Sequence, residues 1–205
     1  MQMTGVSLRD VYCRAADAIS GGQSCEPQEY CSDDFSEGDS NWDSRKGDWQ
    51  VKDGQMCISG NGVTLNTCTM GKNDKDYIVR VDDANLTSGK GYGIIFRAEE
   101  SKKKRFNGYS FQYDPGYRGG AFVFRKWVNG RELKPIAEKR DRNFDWHNKS
   151  HDVEVVIQGD TFTAFIDGEA VLSVTDSTYT EGGVGLRSWD ASQVCFDRFA
   201  LSSIP

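Results

Sequence analysis

The chain has 205 residues, with 25 Lys and Arg against 31 Asp and Glu, which gives a formal net charge of −6 at pH 7. This acidic balance argues against a nucleic acid or an anionic bilayer as partner. With 37% hydrophobic and 12% aromatic residues, the chain can form a packed core, so global disorder is excluded. No run approaches the roughly 18 apolar residues of a transmembrane helix.

The N-terminal segment is predicted to be helical over residues 6–20, because its apolar residues recur at helical spacing and Gly21-Gly22 end the pattern. A Cys-rich connector follows, so residues 1–30 form an arm and residues 31–205 the main domain. The first ten residues have neither the basic nor the apolar part of a secretion signal, which favours a mature or trimmed chain.

The chain contains an even number of cysteines, none in a Cys-x-x-Cys pair and none at a zinc-ligand spacing from a histidine. We therefore predict disulfide bonds formed in an oxidising compartment, and an extracellular or cell-surface location. The cysteines are Cys13, Cys25, Cys31, Cys57, Cys68 and Cys195.

From about Asp33 onward, short apolar runs alternate with turn signals, and about a dozen strands are predicted. Each strand alternates an apolar face with a polar one, which favours two packed antiparallel sheets over a closed barrel. The charged run at 99–105 is predicted to be a solvated loop, with contact to an anionic ligand as the alternative. The hairpin signals are Asp53-Gly54, Gly60-Asn61-Gly62, Asn129-Gly130, Gly159-Asp160 and Asp167-Gly168.

Six phrases in this order resemble the concanavalin A-like lectin/glucanase superfamily, over residues 33–201. The most similar subset is the laminin-G-like jelly rolls, which include fructan-binding modules and keto-disaccharide hydrolase-like domains. The resemblance implies an all-β, two-sheet jelly-roll sandwich whose first strand, DDFS, lies beside the last, VCFDRFAL. The phrases are DDFSEGDSNW, GDWQVKDGQM, GYGIIFRA, NGYSFQYDPG, HDVEVVIQGDTFTAFIDGEAVLSVTD and YTEGGVGLRSWDASQVCFDRFAL.

Fifteen disulfide pairings are open to six cysteines. One hypothesis pairs Cys57 with Cys68 across the Gly60-Asn61-Gly62 turn and Cys13 with Cys25 in the arm. The remaining pair, Cys31 with Cys195, would then clamp the terminal strands.

Four strands combine an apolar face with a second face rich in Arg, Gln, Asp and Trp. Planar hydrogen-bonding groups beside aromatic rings match the hydroxyls and apolar faces of sugars, so a shallow concave face for carbohydrate is predicted. The alternative is that the charged residues pair across strands and only make the sheet soluble. The candidate ligand-binding residues are Arg97, Gln112, Asp114, Arg125, Trp127, Arg187 and Trp189.

Two carboxylates, Asp34 and Asp197, fall on the terminal strands that the resemblance places side by side. Oxygen ligands of this kind suit a hard cation, so a structural Ca²⁺ is predicted there. The alternative is that Asp34 caps a turn and Asp197 has a cross-strand partner. No organic cofactor is expected.

No catalytic signature is present: the chain lacks the E-x-D-x-x-E run of laminarinases and the nucleophile elbow of serine hydrolases. His147 and His151 have no metal-site Glu between them and are predicted to be structural. The sequence therefore predicts a secreted or surface-displayed, lectin-like domain that binds carbohydrate without cleaving it. One alternative is the head of a pilin-like filament subunit or adhesin, assembled with partners through the N-terminal helix; a glycoside-cleaving enzyme is the other.

Overall fold

The structure is a computed structural model that describes residues 27–68, 75–101 and 105–204. Within these ranges the chain forms β-strands connected by turns, and the predicted helix at 6–20 lies outside them. The strands are β1 (Glu29–Asp33), β2 (Trp42–Lys46), β3 (Trp49–Lys52), β4 (Gln55–Ser59), β5 (Gly62–Asn66), β6 (Tyr77–Ser88), β7 (Gly91–Ser101), β8 (Arg105–Asp114), β9 (Ala121–Val128), β10 (Arg131–Arg140), β11 (Ser150–Gln158), β12 (Thr161–Ile166), β13 (Glu169–Thr175), β14 (Gly183–Trp189), β15 (Gln193–Phe196) and β16 (Arg198–Ser202).

The strands described here form two antiparallel sheets. Sheet A has the order β13-β12-β11-β6-β15-β4-β3, and β16 pairs with both β6 and β1 beside this path. Sheet B has the order β10-β9-β8-β7-β14-β5-β2. The first and last strands are neighbours, as predicted, although the pairing runs through Glu29–Asp33 and places the DDFS phrase at the end of the strand. The all-β two-sheet prediction is confirmed.

The core lies between the inner faces of the two sheets and is mainly aromatic. On β8, Tyr109, Phe111 and Tyr113 point inward and are buried, while Ser110 and Gln112 between them point outward. Successive side chains of a strand point to opposite faces, so this period of two is what places a polar row on the outer face of sheet B.

Four of the five predicted hairpin turns connect strands that pair with each other: β3 with β4, β9 with β10, β11 with β12, and β12 with β13. The fifth prediction, at Gly60-Asn61-Gly62, is wrong. Strand β4 belongs to sheet A and β5 to sheet B, so this turn carries the chain from one sheet to the other.

The same crossing corrects the disulfide hypothesis. Cys57 and Cys195 lie directly opposite each other on β4 and β15 and form one disulfide, and Cys31 pairs with Cys68 to form another. The predicted Cys57–Cys68 and Cys31–Cys195 pairs are therefore wrong, because Cys57 lies on β4 of sheet A whereas Cys68 follows β5 of sheet B. The predicted Cys13–Cys25 pair lies outside the described residues.

Between Pro27 and Ile204, excluding 69–74 and 102–104, the protein has no helix with the length and apolar character needed to cross a bilayer.

Candidate functional site

The outer face of sheet B holds six of the seven residues predicted to bind a ligand. They come from three strands, and β7 lies between β8 and β14. Cross-strand register places Arg187 and Gln112 on either side of Gly93, so the row continues across β7 without interruption. The six residues are Gln112 and Asp114 on β8, Arg125 and Trp127 on β9, and Arg187 and Trp189 on β14.

Two glycines of β7 make room for this cluster. A Cβ on Gly93 would lie 3.1 Å from Cβ of Gln112 and 3.5 Å from Cγ of Arg187. A Cβ on Gly91 would lie 2.5 Å from Cζ2 of Trp189. The alternating glycines of the GYG phrase therefore let the side chains of β8 and β14 meet over β7.

Arg187 is the centre of the cluster and is almost fully buried. Its Nη1 donates to Oε1 of Gln112 at 2.5 Å and to Oε1 of Glu132 at 2.7 Å. The guanidinium carbon lies 4.6 Å from the ring centroid of Trp127 and 4.6 Å from that of Trp189, so both indoles contact the cation. Burial lowers the pKa of Arg187, and the negative charge of Glu132 opposes that shift.

Arg125 forms the second part of the cluster. Its Nη2 donates to Oδ2 of Asp114 at 2.9 Å, and its Nε lies 3.1 Å from Oε1 of Glu132. The ring centroid of Tyr117 is 5.2 Å from its guanidinium carbon. Two arginines and two carboxylates thus form one charge-balanced network, and Glu132 joins its two parts.

Glu132 and Tyr117 are members of the site that the sequence prediction missed. The run RELKPIAEKR, which forms β10, contains Pro135 and many charges, and it was not predicted as a strand. A signal was available, because a two-residue Asn129-Gly130 turn fixes the register of a hairpin and brings Glu132 opposite Trp127. Tyr117 lies in the turn after β8, and no periodic pattern marks it.

Arg97 is the seventh predicted residue, and the prediction that it shares this face is wrong. The pairing of β7 with β8 shifts register after Phe96, and Arg97 has a φ of 48°, so its side chain turns into the protein. There it is 1% exposed and lies over the ring of Phe162. Its guanidinium donates to the backbone carbonyls of Tyr179, Lys75 and Gly159. Arg97 therefore anchors three connecting segments.

The two carboxylates predicted to hold Ca²⁺ are each used locally. Oδ1 of Asp34 accepts hydrogen bonds from the backbone N and the hydroxyl of Ser36, and those bonds lower the pKa of Asp34. Oδ1 of Asp197 accepts from Nε2 of Gln55 at 3.1 Å. Among the residues with described positions, no group of three or more His, Cys, Asp or Glu side chains is arranged to hold a metal ion. Each of the two carboxylates therefore has its own local partner, and the Ca²⁺ site stays a prediction.

Both histidines have protein partners. His147 Nε2 lies 2.7 Å from the carbonyl of Gly89. His151 is buried, with Nδ1 2.8 Å from Oδ2 of Asp167 and Nε2 2.7 Å from the carbonyl of Asp145. These contacts agree with the predicted structural roles.

The fold and the site together define a jelly-roll sandwich that carries an arginine, carboxylate and tryptophan network on one outer face. The sequence matches the family described as the 3-keto-alpha-glucoside-1,2-lyase-like domain over residues 34–201, and the chain belongs to this family.

Two relatives come from Bacillus subtilis. The chain is 28% identical over 159 residues to a levanase of strain 168, a match that covers 75% of this chain and only 21% of the levanase. The structure resembles the carbohydrate-binding module CBM66, with a TM-score of 0.64 and 25% identity over 80% of this chain and 96% of the module. A β-glucanase from Bacillus licheniformis has a TM-score of 0.59, covering 88% of this chain and all of that one, but at 13% identity it shows only the shared fold.

Proposed function

We propose that this chain is a non-catalytic carbohydrate-binding domain, and that it binds glycan on the outer face of sheet B around Arg187. The observation that carries the proposal is the burial of a connected polar network on that face. Arg187 and Gln112 are 5% and 2% exposed; Arg187 donates directly to Gln112, and both residues donate to Glu132. Cross-strand pairs that only make a sheet soluble are typically exposed and contribute little.

The network holds its polar groups in fixed positions before a ligand arrives. Arg125 and Arg187 both form ion pairs with Glu132, so its carboxylate cannot rotate freely. A sugar hydroxyl can donate to this carboxylate, and the partly exposed ring of Trp189 can contact an apolar sugar face. Side chains fixed in this way lose little entropy on binding, which favours affinity.

The relatives support fructan as the first ligand class to test. One relative is named a levanase and the other a carbohydrate-binding module, both from the same species. The chain spans about a fifth of the levanase, so the cleavage activity of that whole enzyme is not carried over. We therefore place levan first, followed by inulin and β-glucans.

The absence of catalysis is part of the proposal and rests on how the two carboxylates of the site are held. Asp114 is paired with Arg125, and Glu132 with both arginines. Acid–base cleavage of a glycosidic bond needs one carboxylic acid that keeps its proton, and an arginine partner opposes that state. The family description names a lyase activity, so each binding experiment includes a search for new reducing ends.

We further propose an extracellular or cell-surface setting, which the Cys31–Cys68 and Cys57–Cys195 disulfides and the relatives support. A structural Ca²⁺ and a filament or adhesin role through the N-terminal helix stay predictions. The segment predicted to be helical lies outside the described residues, and the calcium prediction is tested by running every binding measurement with Ca²⁺ and again with chelator.

The test is calorimetric titration of levan, inulin and β-glucan into the protein and into its Glu132→Gln variant. We expect levan to bind, and Glu132→Gln to weaken that binding at least tenfold, because the amide no longer accepts from both arginines and from a sugar hydroxyl.

Glu138→Gln is the matched control. Glu138 lies on the same strand, pairs with Arg118, and has the same side-chain exposure as Glu132, 29%. The Glu138→Gln variant should bind levan with the affinity of the parent protein. Failure of the parent protein to bind any of the glycans would overturn the proposal. Equal levan affinity of the Glu132→Gln and Glu138→Gln variants would overturn it as well. If the parent protein produces new reducing ends and the Glu132→Gln variant does not, the domain is an enzyme and the non-catalytic proposal is wrong.

A further inference from the structure

A groove of about 320 Å³ lies beside the Arg187 network on the outer face of sheet B. Its floor includes Val63 of β5 and the stacked rings of Phe106 and Trp127, whose centroids are 5.0 Å apart. Arg187 and Trp189 form the side that it shares with the network. The groove is therefore a continuation of the proposed carbohydrate site toward β5 and β2.

The charge of this groove is opposite to that of the whole chain. Four cationic side chains line it, Arg45, Lys46, Arg105 and Arg187, and the lining contains no Asp or Glu. The chain as a whole carries a net charge of −6. A lining with one sign of charge in an acidic protein indicates a ligand of the opposite sign.

Two of the four cations are already neutralised by carboxylates that lie outside the lining. Arg45 pairs with Asp43 at 2.9 Å and with Glu100 at 2.8 Å, and Arg187 pairs with Glu132. Lys46 and Arg105 have no ion-pair partner among the described residues, and both are exposed. An anionic ligand would therefore gain the most binding free energy from Lys46 and Arg105.

Packing places the stem of Arg105 at the edge of the groove. A Cβ on Gly130, in the β9–β10 turn, would lie 3.0 Å from Cγ of Arg105, so the arginine stem rests on this glycine. Gly130 has a φ of 71°, which glycine adopts without strain. The turn thus supports Arg105 next to Phe106 and Trp127.

We propose that this groove is a subsite for an anionic substituent of a polysaccharide, a carboxylate or a sulfate ester, with Lys46 and Arg105 as its contacts. The proposal rests on the proposed function in one respect: the sugar that carries the anion sits on the Arg187 network. Aromatic rings below and cations at the rim suit a sugar ring with a charged group, because the ring contacts the apolar floor while the anion meets the cations.

The experiment compares inulin with two derivatives of the same chain length, carboxymethyl inulin and O-sulfated inulin, by calorimetry at 50 mM NaCl. We expect both derivatives, or the one with the fitting anion, to bind about tenfold tighter than inulin, since two exposed ion pairs form. The gain should shrink at 500 mM NaCl, where exposed charges are screened. The Lys46→Gln/Arg105→Gln double variant should lose the gain and keep the affinity for inulin.

Lys52→Gln/Arg140→Gln is the matched control, because it removes one Lys and one Arg that are also exposed and lie outside the groove. This control variant should still bind the anionic derivatives about tenfold tighter than inulin. Equal binding of the three inulins by the parent would overturn the anionic subsite and leave the proposed function intact. A gain that survives in Lys46→Gln/Arg105→Gln, or falls equally in the control, would overturn it as well. Lack of binding to inulin together with a gain that depends on Lys46 and Arg105 would support the groove and would exclude unsubstituted inulin as a ligand, while the levan titration decides the neutral fructan site.

Discussion

The outer faces of the two sheets carry ion pairs of the same kinds of residues but in different surroundings. On sheet A, Arg80 reaches Asp82, Asp152 and Glu154, and its side chain is 39% exposed. On sheet B, the side chain of Arg187 is 6% exposed and lies between two indole rings. Solvent reaches Arg80, Asp82 and Asp152 in the first arrangement, where only Glu154 is buried. The second arrangement excludes solvent from the cation and includes glycines that make room for it.

This difference separates two uses of charge on a sheet. The pairs around Arg80 fit the view that charges on a strand face keep the sheet soluble. The network around Arg187 requires burial of a cation, which is costly unless every donor has a partner. Because burial of a cation opposes folding, solubility alone does not explain this network, and we assign it to ligand binding.

The largest expected effect comes from the disulfide on sheet A. The Cys57→Ser/Cys195→Ser variant should lower the free energy of unfolding by about 5 kcal/mol, because the bond closes a chain segment with a sequence separation of 138. Urea unfolding measures this loss. The Cys31–Cys68 bond closes a sequence separation of only 37, so Cys31→Ser/Cys68→Ser should lower the free energy of unfolding by about 4 kcal/mol. Glycan affinity of the folded protein should be the same in both, and loss of binding in Cys57→Ser/Cys195→Ser would contradict the division of roles between the two sheets.

Arg97 provides a buried arginine that belongs to neither outer face. Arg97→Met should lower the free energy of unfolding by about 3 kcal/mol, because three backbone carbonyls lose a charged donor. Levan affinity, measured under conditions where the variant is folded, should not change. Exposed Arg140 is the control, and Arg140→Met should change stability by less than about 0.5 kcal/mol. A loss below about 1 kcal/mol for Arg97→Met would show that water replaces its bonds.

The direct test of the comparison pairs Arg187→Met with Arg80→Met. Arg187→Met should weaken levan binding more than tenfold and lower the free energy of unfolding by about 2 kcal/mol, since Gln112 and Glu132 lose a buried partner. Arg80→Met should leave binding unchanged and cost less than about 1 kcal/mol. Similar stability losses and unchanged binding in both variants would remove the distinction between the two faces.

The smallest expected effect is on acid stability and concerns Asp176, after β13. Burial alone would raise its pKa, but hydrogen bonds from Lys126, Tyr109 and Thr178 outweigh burial and hold the pKa well below its usual value. Because the folded pKa is depressed, the stabilisation is present above the unfolded value of about 4 and is lost as the pH falls through the folded pKa.

Asp176→Asn should therefore lower stability at pH 7 by about 1 kcal/mol and flatten the decline in stability below pH 4. Thermal unfolding followed from pH 7 to pH 2 measures both changes. Glu181→Gln, in the same connection and exposed, should follow the parent protein at every pH. If the stability of Asp176→Asn falls below pH 4 as steeply as that of the parent protein, other carboxylates cause the loss of stability in acid.

The sequence alone determined the features that depend on local periodicity. Alternation within NGYSFQYD and GVGLRSW fixed which side chains share a face, and two-residue turns such as Asn129-Gly130 fixed which strands form hairpins. Those rules act between neighbouring residues of one strand or one hairpin. They were sufficient to predict two antiparallel sheets and six residues of the candidate site.

Only the tertiary structure decided which sheet each strand joins and where the alternation breaks. The turn after β4 crosses between sheets, which pairs Cys57 with Cys195, and the register shift after Phe96 turns Arg97 inward. The cysteine pair depends on contact between β4 and β15, and the inward position of Arg97 depends on its bonds to the distant carbonyls of Gly159 and Tyr179. No local pattern encodes these contacts. Glu132 combines both cases: the Asn129-Gly130 hairpin brings it to Arg125 on β9, whereas Arg187, its partner on β14, lies more than fifty residues further along the chain.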